Sequence, residues 1–261
     1  MATSFKRKKR PFSVIMVFHY LKLAFRSLLF LCALAVYVIG HCKGMQAPLS
    51  RFRDMPVLLT LIWAVFIFEM ILRFFPSRVE SMGCQKQFRR NYIPRSGCHE
   101  KPELVSWKRT FLSAAAWLAL NGVFAVLYMT GVFDSGIMLL IALAYSVCDM
   151  VCILFFCPFQ TWFLKNKCCG TCRIYNWDYA MMFTPLLFVP TVYSQSLVMA
   201  SLLLLLRWEV TYRKSPERFA ENTNVSLECR NCREKLCHHK TQLQSFWREN
   251  KIRLRFTDKK D

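Results

Sequence analysis

Five long apolar segments separated by basic loops constrain this chain more than any other feature. They are residues 12–39, 56–75, 110–129, 137–156 and 179–206. A helix needs about 20 apolar residues to cross the hydrocarbon core of a bilayer, and all five segments reach that length. Because 54% of the residues are hydrophobic and 15% are aromatic, an ordinary soluble domain is not expected. The sequence predicts an all-α, polytopic integral membrane protein with four full spans, a fifth apolar segment and a small Cys-rich tail.

The distribution of charge divides the chain into three regions and predicts its orientation. A basic N-terminus, residues 1–11, precedes a membrane domain, residues 12–206, and a basic tail containing Cys and His forms residues 207–261. Lys and Arg outnumber Glu in the loop that follows the second segment. Loops rich in Lys and Arg stay on the cytoplasmic face, so we expect this loop and the N-terminus to lie in the cytoplasm.

The fifth segment allows two topologies. A single crossing would place the tail outside, although the tail carries more Lys and Arg than Asp and Glu. Pro185 and Pro190 each remove a backbone donor and disfavour a straight helix. A broken or re-entrant segment would instead return the chain to the inner face, which the basic tail favours.

Two Cys-x-x-Cys pairs flank this fifth segment. Cys169 and Cys172 precede it, and Cys229 and Cys232 follow it. Two thiolates at this spacing can bind one tetrahedral ion, so the four residues predict a metal site if the segment is re-entrant. Zinc is the expected metal because thiolate-rich tetrahedral sites suit it, and an iron–sulfur cluster would use the same ligands.

Other ligand sets remain open. A set within the tail holds under either topology and consists of Cys229, Cys232, Cys237 and one of His238 and His239. A third set combines the first pair with two Cys residues of the basic loop, Cys84 and Cys98, and Cys168 is an alternate for the first pair. The structural alternative is that all of these are reduced cysteines without a ligand.

A redox function is an alternative to metal binding. Membrane thiol–disulfide oxidoreductases also use a Cys-x-x-Cys, and cations near a thiol lower its pKa. Lys165, Lys167 and Arg173 flank Cys169 in this way. The expected cytoplasmic location argues against this function, because that compartment is reducing.

Polar side chains within the apolar segments are the remaining candidates. Glu69, Asn121 and Asp149 fall at comparable depths when the helices are arranged antiparallel. Ionisable residues at such depth are costly and by default mark function, so an enzyme or transporter would use Asp149. The structural alternatives are that Arg73 neutralises Glu69 one helical turn away and that Asp149 bonds to a neighbouring helix.

Basic residues at both ends of the chain predict contact with lipid. His19, Lys22 and Arg26 share one helical face, and we expect these basic side chains to reach lipid phosphates from the interface. Residues 242–256 alternate basic and apolar types, which suits anionic headgroups. The bilayer and a cytoplasmic protein are therefore the expected partners, and nucleic acid is not. The predicted function is a multi-pass membrane scaffold, sensor or interaction protein with a zinc site.

Overall fold

A computed structural model describes residues 14–44, 56–76, 85–95, 101–166, 169–228, 231 and 240. It contains the α-helices α1 (Val14–Cys42), α2 (Pro56–Phe74), α3 (Trp107–Met129), α4 (Ser135–Leu154), α5 (Asp178–Phe183) and α6 (Val192–Lys214). Within the residues described there is no β-strand, and the one β-bridge joins Pro94 to Asn224. The predicted all-α class is confirmed.

In the part of the chain that the structure describes, three helices are long and apolar enough to cross a membrane, which indicates a membrane protein. They are Ile15–Cys42 in α1, Trp107–Met129 in α3 and Ser135–Leu154 in α4. The sequence predicts four full spans and a fifth segment, which is more than these three. The helix α2 forms close to its predicted bounds and carries Glu69 and Arg73.

Helices α1 and α4 pack against each other in antiparallel orientation. At one end the hydroxyl of Tyr37 donates to Asp134 over 3.3 Å, and towards the other end Arg26 Nη1 lies 3.0 Å from Asp149 Oδ2. Gly136 permits the close approach, because a Cβ at this position would stand 2.9 Å from the ring of Tyr37. These contacts hold the long first helix along the length of α4.

The fifth apolar segment is broken at its prolines. Helix α5 ends at Phe183 and continues as a 3₁₀ helix, Thr184–Phe188, in which Pro185 is buried. After Pro190 the hydroxyl of Thr191 accepts a hydrogen bond from the backbone N–H of Ser194 over 3.2 Å and caps α6. Because the ring of proline removes a backbone donor, the straight helix cannot continue here.

The two ends of this broken segment meet at one end of the bundle. Arg173 Nη2 lies 2.5 Å from Glu209 Oε2, and the indole N–H of Trp177 donates to Glu209 over 2.7 Å. At the opposite end, the hydroxyls of Tyr193 and Thr60 are 3.0 Å apart. The chain therefore enters and leaves the segment at the same end of the bundle, and the segment is not one straight helix.

Three loop segments assemble at that same end, and we call residues 85–95, 169–177 and 215–228 the cap. The side chain of Gln87 donates to the carbonyl of Gly170 over 2.9 Å. Asn224, which is fully buried, donates to the carbonyl of Lys86 over 3.2 Å. The cap thus joins the loop after α2 to the residues before α5 and after α6.

Candidate functional site

A buried arginine is the centre of an ion network inside the bundle. Arg26 of α1 is only 1% exposed. Its Nη2 lies 2.7 Å from Glu69 Oε2 of α2, and its Nη1 lies 3.0 Å from Asp149 Oδ2 of α4. Nη1 also donates to the carbonyl of Ser146 over 3.1 Å. A buried guanidinium is tolerated only when its donors are matched by acceptors, and these three contacts provide them.

Glu69 binds two further groups, so its carboxylate connects three elements. Lys22 Nζ of α1 lies 3.2 Å from Glu69 Oε1. The hydroxyl of Tyr179 in α5 donates to Glu69 Oε2 over 2.9 Å. The network therefore fixes α1, α2, α4 and α5 relative to one another.

The expected contact of Lys22 and Arg26 with lipid phosphates is wrong. At their level the outward face of α1 carries exposed apolar side chains, namely Phe18, Leu21 and Phe25. The basic side chains lie on the opposite face and point into the bundle, where two carboxylates neutralise them. Pairing inside the protein replaces the lipid headgroup as the partner.

The proposed pairing of Glu69 with Arg73 is also wrong. Arg73 Nη2 instead lies 2.7 Å from Asp178 Oδ2, and its guanidinium stands 4.8 Å from the centre of the Tyr179 ring. Glu69 has its charge partners on α1, so Arg73 is available to hold the start of α5. A sequence argument based on one helical turn could not foresee a carboxylate that follows 105 residues later.

The other two intramembrane candidates have different outcomes. Asp149 bonds to a neighbouring helix through Arg26, which is the structural alternative for this residue. The side chain of Asn121 is buried and donates to the carbonyl of Trp117 over 3.0 Å, one turn earlier in α3. Glu69 and Asp149 thus converge on one cation, and Asn121 satisfies its own helix.

A cavity of about 130 Å³ adjoins the ion network at Asp149. We call it the thiol cavity, because four cysteines line it: Cys148, Cys152, Cys157 and Cys172. Its remaining wall is largely apolar and aromatic, and it includes Trp117, whose indole N–H has no protein partner in the described part of the chain. An apolar cavity with a few converging polar groups is the usual form of a small-molecule site.

Cys152 and Cys157 form a thiol pair in the wall of this cavity. Cys152 lies in the last turn of α4, and the chain leaves that helix after Leu154, which brings Cys157 back beside it. The backbone N–H of Gln160 donates to Cys157 Sγ over 3.4 Å. The ammonium group of Lys240 donates to the carbonyl of Cys152 over 2.7 Å.

These contacts stabilise the thiolate form of Cys157. The hydrogen bond from the Cys152 thiol lowers the pKa of Cys157 below that of an ordinary thiol. Burial opposes the change, whereas the backbone N–H of Gln160 and the positive charge of Lys240 act in the same direction as the thiol. Thiolates are the reactive form of cysteine, so Cys157 is the more nucleophilic member of the pair.

Sequence reasoning missed Cys157. From the sequence, Cys148 and Cys152 share one helical face, which is typical of small packing residues in a membrane helix. The signal in the sequence is Pro158, which directly follows Cys157. Proline marks the end of a helix, so Cys157 can fold back onto the last turn of α4 beside Cys152.

The predicted metal ligands lie largely outside the described residues. Cys172 is buried in the wall of the thiol cavity, and Cys169 begins a 3₁₀ helix in the cap, but its side chain is outside the description. Also outside it are Cys84, Cys98, Cys168, Cys229, Cys232, Cys237, His238 and His239. Among the side chains that are described, no three of Cys, His, Asp and Glu are grouped so that they could hold a metal ion.

The chain matches no protein-family model, no curated protein and no solved structure.

Proposed function

We propose that this membrane protein is a thiol-based redox sensor whose reactive element is the pair Cys152 and Cys157. The observation that carries the proposal is the placement of both thiols on the wall of one cavity, where the Cys152 thiol lowers the pKa of Cys157. Two thiols placed together in this way can form a disulfide by thiol–disulfide exchange. This function combines the sensor and the thiol–disulfide alternatives, although with a different pair of cysteines.

The chemistry follows from the different environments of the two thiols. The Cys157 thiolate attacks a disulfide RSSR, forms a mixed disulfide and releases one RS⁻. The Cys152 thiol, after losing its proton, attacks Cys157 Sγ and releases the second RS⁻. The net result is one protein disulfide and two RSH from one RSSR and two protein thiols.

The ion network supports the site rather than reacting in it. Asp149 lies in the wall of the thiol cavity and is held there by Arg26 Nη1 at 3.0 Å. The guanidinium this close neutralises the carboxylate and fixes its position. This geometry favours a positioning role for Asp149 over the enzyme or transporter that would use it.

We also propose that the N-terminus and the cap lie in the cytoplasm, and that α2 and the broken segment complete the membrane domain. The excess of Lys and Arg in the loop after α2 supports this orientation. Disulfides in the cytosol are transient and serve catalysis or sensing, so the reducing compartment agrees with a sensor. An impermeant thiol reagent should leave Cys84 and Cys98 unlabelled in intact cells, and strong labelling of either would invert the topology.

Zinc binding by the Cys-x-x-Cys pairs remains a second proposal. It is supported by the cap, in which Gly170, between the first two thiols, and Glu228, next to Cys229, both contact the loop 85–95. An iron–sulfur cluster would use the same residues. Metal analysis of protein purified without chelator tests this, and a preparation with reduced thiols and neither zinc nor iron would contradict it.

The redox proposal is tested by equilibrating the full chain in lipid nanodiscs with thiol redox buffers. Mass spectrometry of alkylated peptides then measures the oxidised fraction at each cysteine. Cys152 and Cys157 should become oxidised together with one midpoint, and in Cys152→Ser the oxidation of Cys157 should stop at the mixed disulfide with the buffer thiol. The matched control is Cys42→Ser, at the exposed end of α1, which should leave that midpoint unchanged. Separate midpoints for the two thiols would contradict the proposal.

A further inference from the structure

The thiol cavity has the size of a single aromatic ring and is lined by aromatic residues. Its volume is about 130 Å³, and an apolar cavity of about 150 Å³ is large enough to bind benzene. Trp117, Tyr145 and Phe159 all line it. The ring centres of Tyr145 and Phe159 lie 4.5 Å and 6.2 Å from that of Trp117. A flat ring can therefore pack against aromatic side chains in this cavity.

The charges in the wall disfavour a charged ligand. The two carboxylates among the lining residues are already paired with arginines. Asp149 Oδ2 lies 3.0 Å from Arg26 Nη1, and Asp178 Oδ2 lies 2.7 Å from Arg73 Nη2. A charged soluble disulfide would lose its hydration on entering, and neither carboxylate is free to compensate for that loss. The cavity therefore suits an uncharged oxidant.

The cavity can be reached from the lipid. Its lining residues come in part from α3 and α4, and both helices are long and apolar enough to cross a membrane. Cys148 of α4 lines the cavity and is also exposed, so the cavity reaches the outer surface of this helix. Leu118 of α3 and Val151 of α4 are exposed apolar residues near this wall. A molecule dissolved in hydrocarbon can therefore approach the thiols without passing through water.

Trp117 provides the polar group that distinguishes among uncharged molecules. Its indole Nε1 is buried and has no protein partner in the described part of the chain. A buried N–H without an acceptor is unfavourable. A carbonyl oxygen on the bound ring would accept this hydrogen bond, whereas a plain hydrocarbon ring would not.

We propose that the thiol cavity binds the ring of a lipid-soluble quinone, and that this quinone is the oxidant of Cys152 and Cys157. Quinones combine a flat six-membered ring, carbonyl acceptors and the capacity to take up two electrons. The inference rests on the proposed redox function and names the class of oxidant. The thiol pair then reports the oxidation state of the quinones in the surrounding membrane.

The reaction is a balanced transfer of two electrons. The Cys157 thiolate adds to a ring carbon of the quinone and forms a C–S bond. The Cys152 thiolate then attacks Cys157 Sγ, so the S–S bond forms, the C–S bond breaks and its electron pair stays on the ring. The two protons lost by the thiols end on the two ring oxygens. The products are one protein disulfide and one hydroquinone.

The first experiment adds decylubiquinone, whose ring is fully substituted, to the reduced full-length protein in nanodiscs. Absorbance measures the hydroquinone, and mass spectrometry of alkylated peptides measures the Cys152–Cys157 disulfide. We expect one hydroquinone for each disulfide in the wild type and in the control Cys42→Ser, and no hydroquinone in Cys152→Ser. A pair that is oxidised by the thiol redox buffer but not by decylubiquinone would overturn the inference and leave the redox function standing. A pair that neither oxidises would overturn the redox function itself.

Two tryptophans of α3 provide a matched test of where the quinone binds. Trp117→Phe keeps an aromatic ring and removes the N–H, and Trp107→Phe makes the same change at an exposed position. Trp117→Phe should raise the half-saturating concentration of decylubiquinone roughly three- to tenfold, the usual effect of one hydrogen bond. Oxidation of this variant by the thiol redox buffer should be unchanged, and Trp107→Phe should match the wild type with both oxidants. An unchanged half-saturating concentration in Trp117→Phe would overturn the cavity as the quinone site.

A direct label decides the case in which Trp117→Phe slows oxidation by both oxidants. The wild type is then irradiated with an azido derivative of the quinone, and the labelled peptides are mapped. Label within residues 145–160, which contribute much of the cavity wall, supports the site. Label confined to other parts of the chain would overturn it.

Discussion

Arg26 and Asp149 are 123 residues apart in the chain, yet the guanidinium Nη1 of one lies 3.0 Å from the carboxylate Oδ2 of the other. The contact joins the first and fourth helices, and Asp149 also lines the thiol cavity. A charge buried this deeply is stable only with its partners, so the pair makes the arrangement of the helices sensitive to either residue.

Replacing Arg26 should destabilise the protein strongly. Arg26→Met keeps much of the side-chain volume but leaves the half-buried Asp149 without its cation, and Glu69 with Lys22 as its one cation. We expect a loss of roughly 3–5 kcal/mol in the free energy of unfolding, the usual cost of breaking a buried pair. Denaturant unfolding in mixed micelles measures it. Arg90→Met, at an exposed arginine of the cap, is the control and should change little.

Replacing Asp149 should have a smaller effect than replacing Arg26. Asp149→Asn keeps a hydrogen-bond acceptor for Arg26 while removing the charge, so a loss of about 1.5–3 kcal/mol is expected. The variant should fold and still form the Cys152–Cys157 disulfide. Denaturant unfolding measures the stability, and mass spectrometry of alkylated peptides measures the disulfide. A folded variant that no longer forms this disulfide would show that ionisation of Asp149 is part of the reaction.

The pH dependence of the alkylation rate of Cys157 should show whether the Cys152 thiol stabilises the Cys157 thiolate. Because its pKa is lowered, the rate of alkylation should rise with pH and reach half its maximum below about 8.5, the value of an ordinary thiol. Cys152→Ala removes the thiol donor and should move that midpoint to higher pH, whereas Cys152→Ser keeps a donor and should move it less. An unchanged midpoint in Cys152→Ala would mean that this hydrogen bond does not stabilise the thiolate.

Two glycines provide a matched test of the packing between α1 and α4. A Cβ on Gly136 would lie 2.9 Å from the ring of Tyr37, whereas a Cβ on Gly122 would meet no atom within 4 Å. Gly136→Ala should therefore cost about 1–3 kcal/mol of stability through overpacking. Gly122→Ala should add about 0.5–1 kcal/mol, because alanine loses less backbone entropy in a helix. Thermal unfolding of both variants checks this, and equal effects would contradict the close contact of Tyr37 with Gly136.

The helices and the break in the fifth segment are properties that local sequence can encode. Long apolar runs predicted α1, α3 and α4, and Pro185 and Pro190 predicted the interruption before α6, because proline excludes its own position from a continuous helix. The basic tail favoured the arrangement in which the chain returns, and the contact between Arg173 and Glu209 agrees with it.

The partners of the buried charges could not be predicted in the same way. The spacing of Glu69 and Arg73 along α2 suggested a local pair, but each residue binds an element far away in the chain. Tertiary packing decides which opposite charges meet, and a single sequence records only which charges exist. The thiol pair was missed for a related reason, since it depends on how the chain turns back after α4.

Peptide mapping under non-reducing conditions tests the central claim most directly. Cells that express the full chain are exposed briefly to a thiol oxidant and then alkylated, so that exchange is stopped before the membranes are digested. If Cys152 and Cys157 are a redox pair, mapping should detect a peptide in which a disulfide joins them. This disulfide should disappear when reductant is restored. If both thiols remain alkylated while exposed Cys32 or Cys42 is oxidised, the pair is not redox-active and the proposed function is wrong.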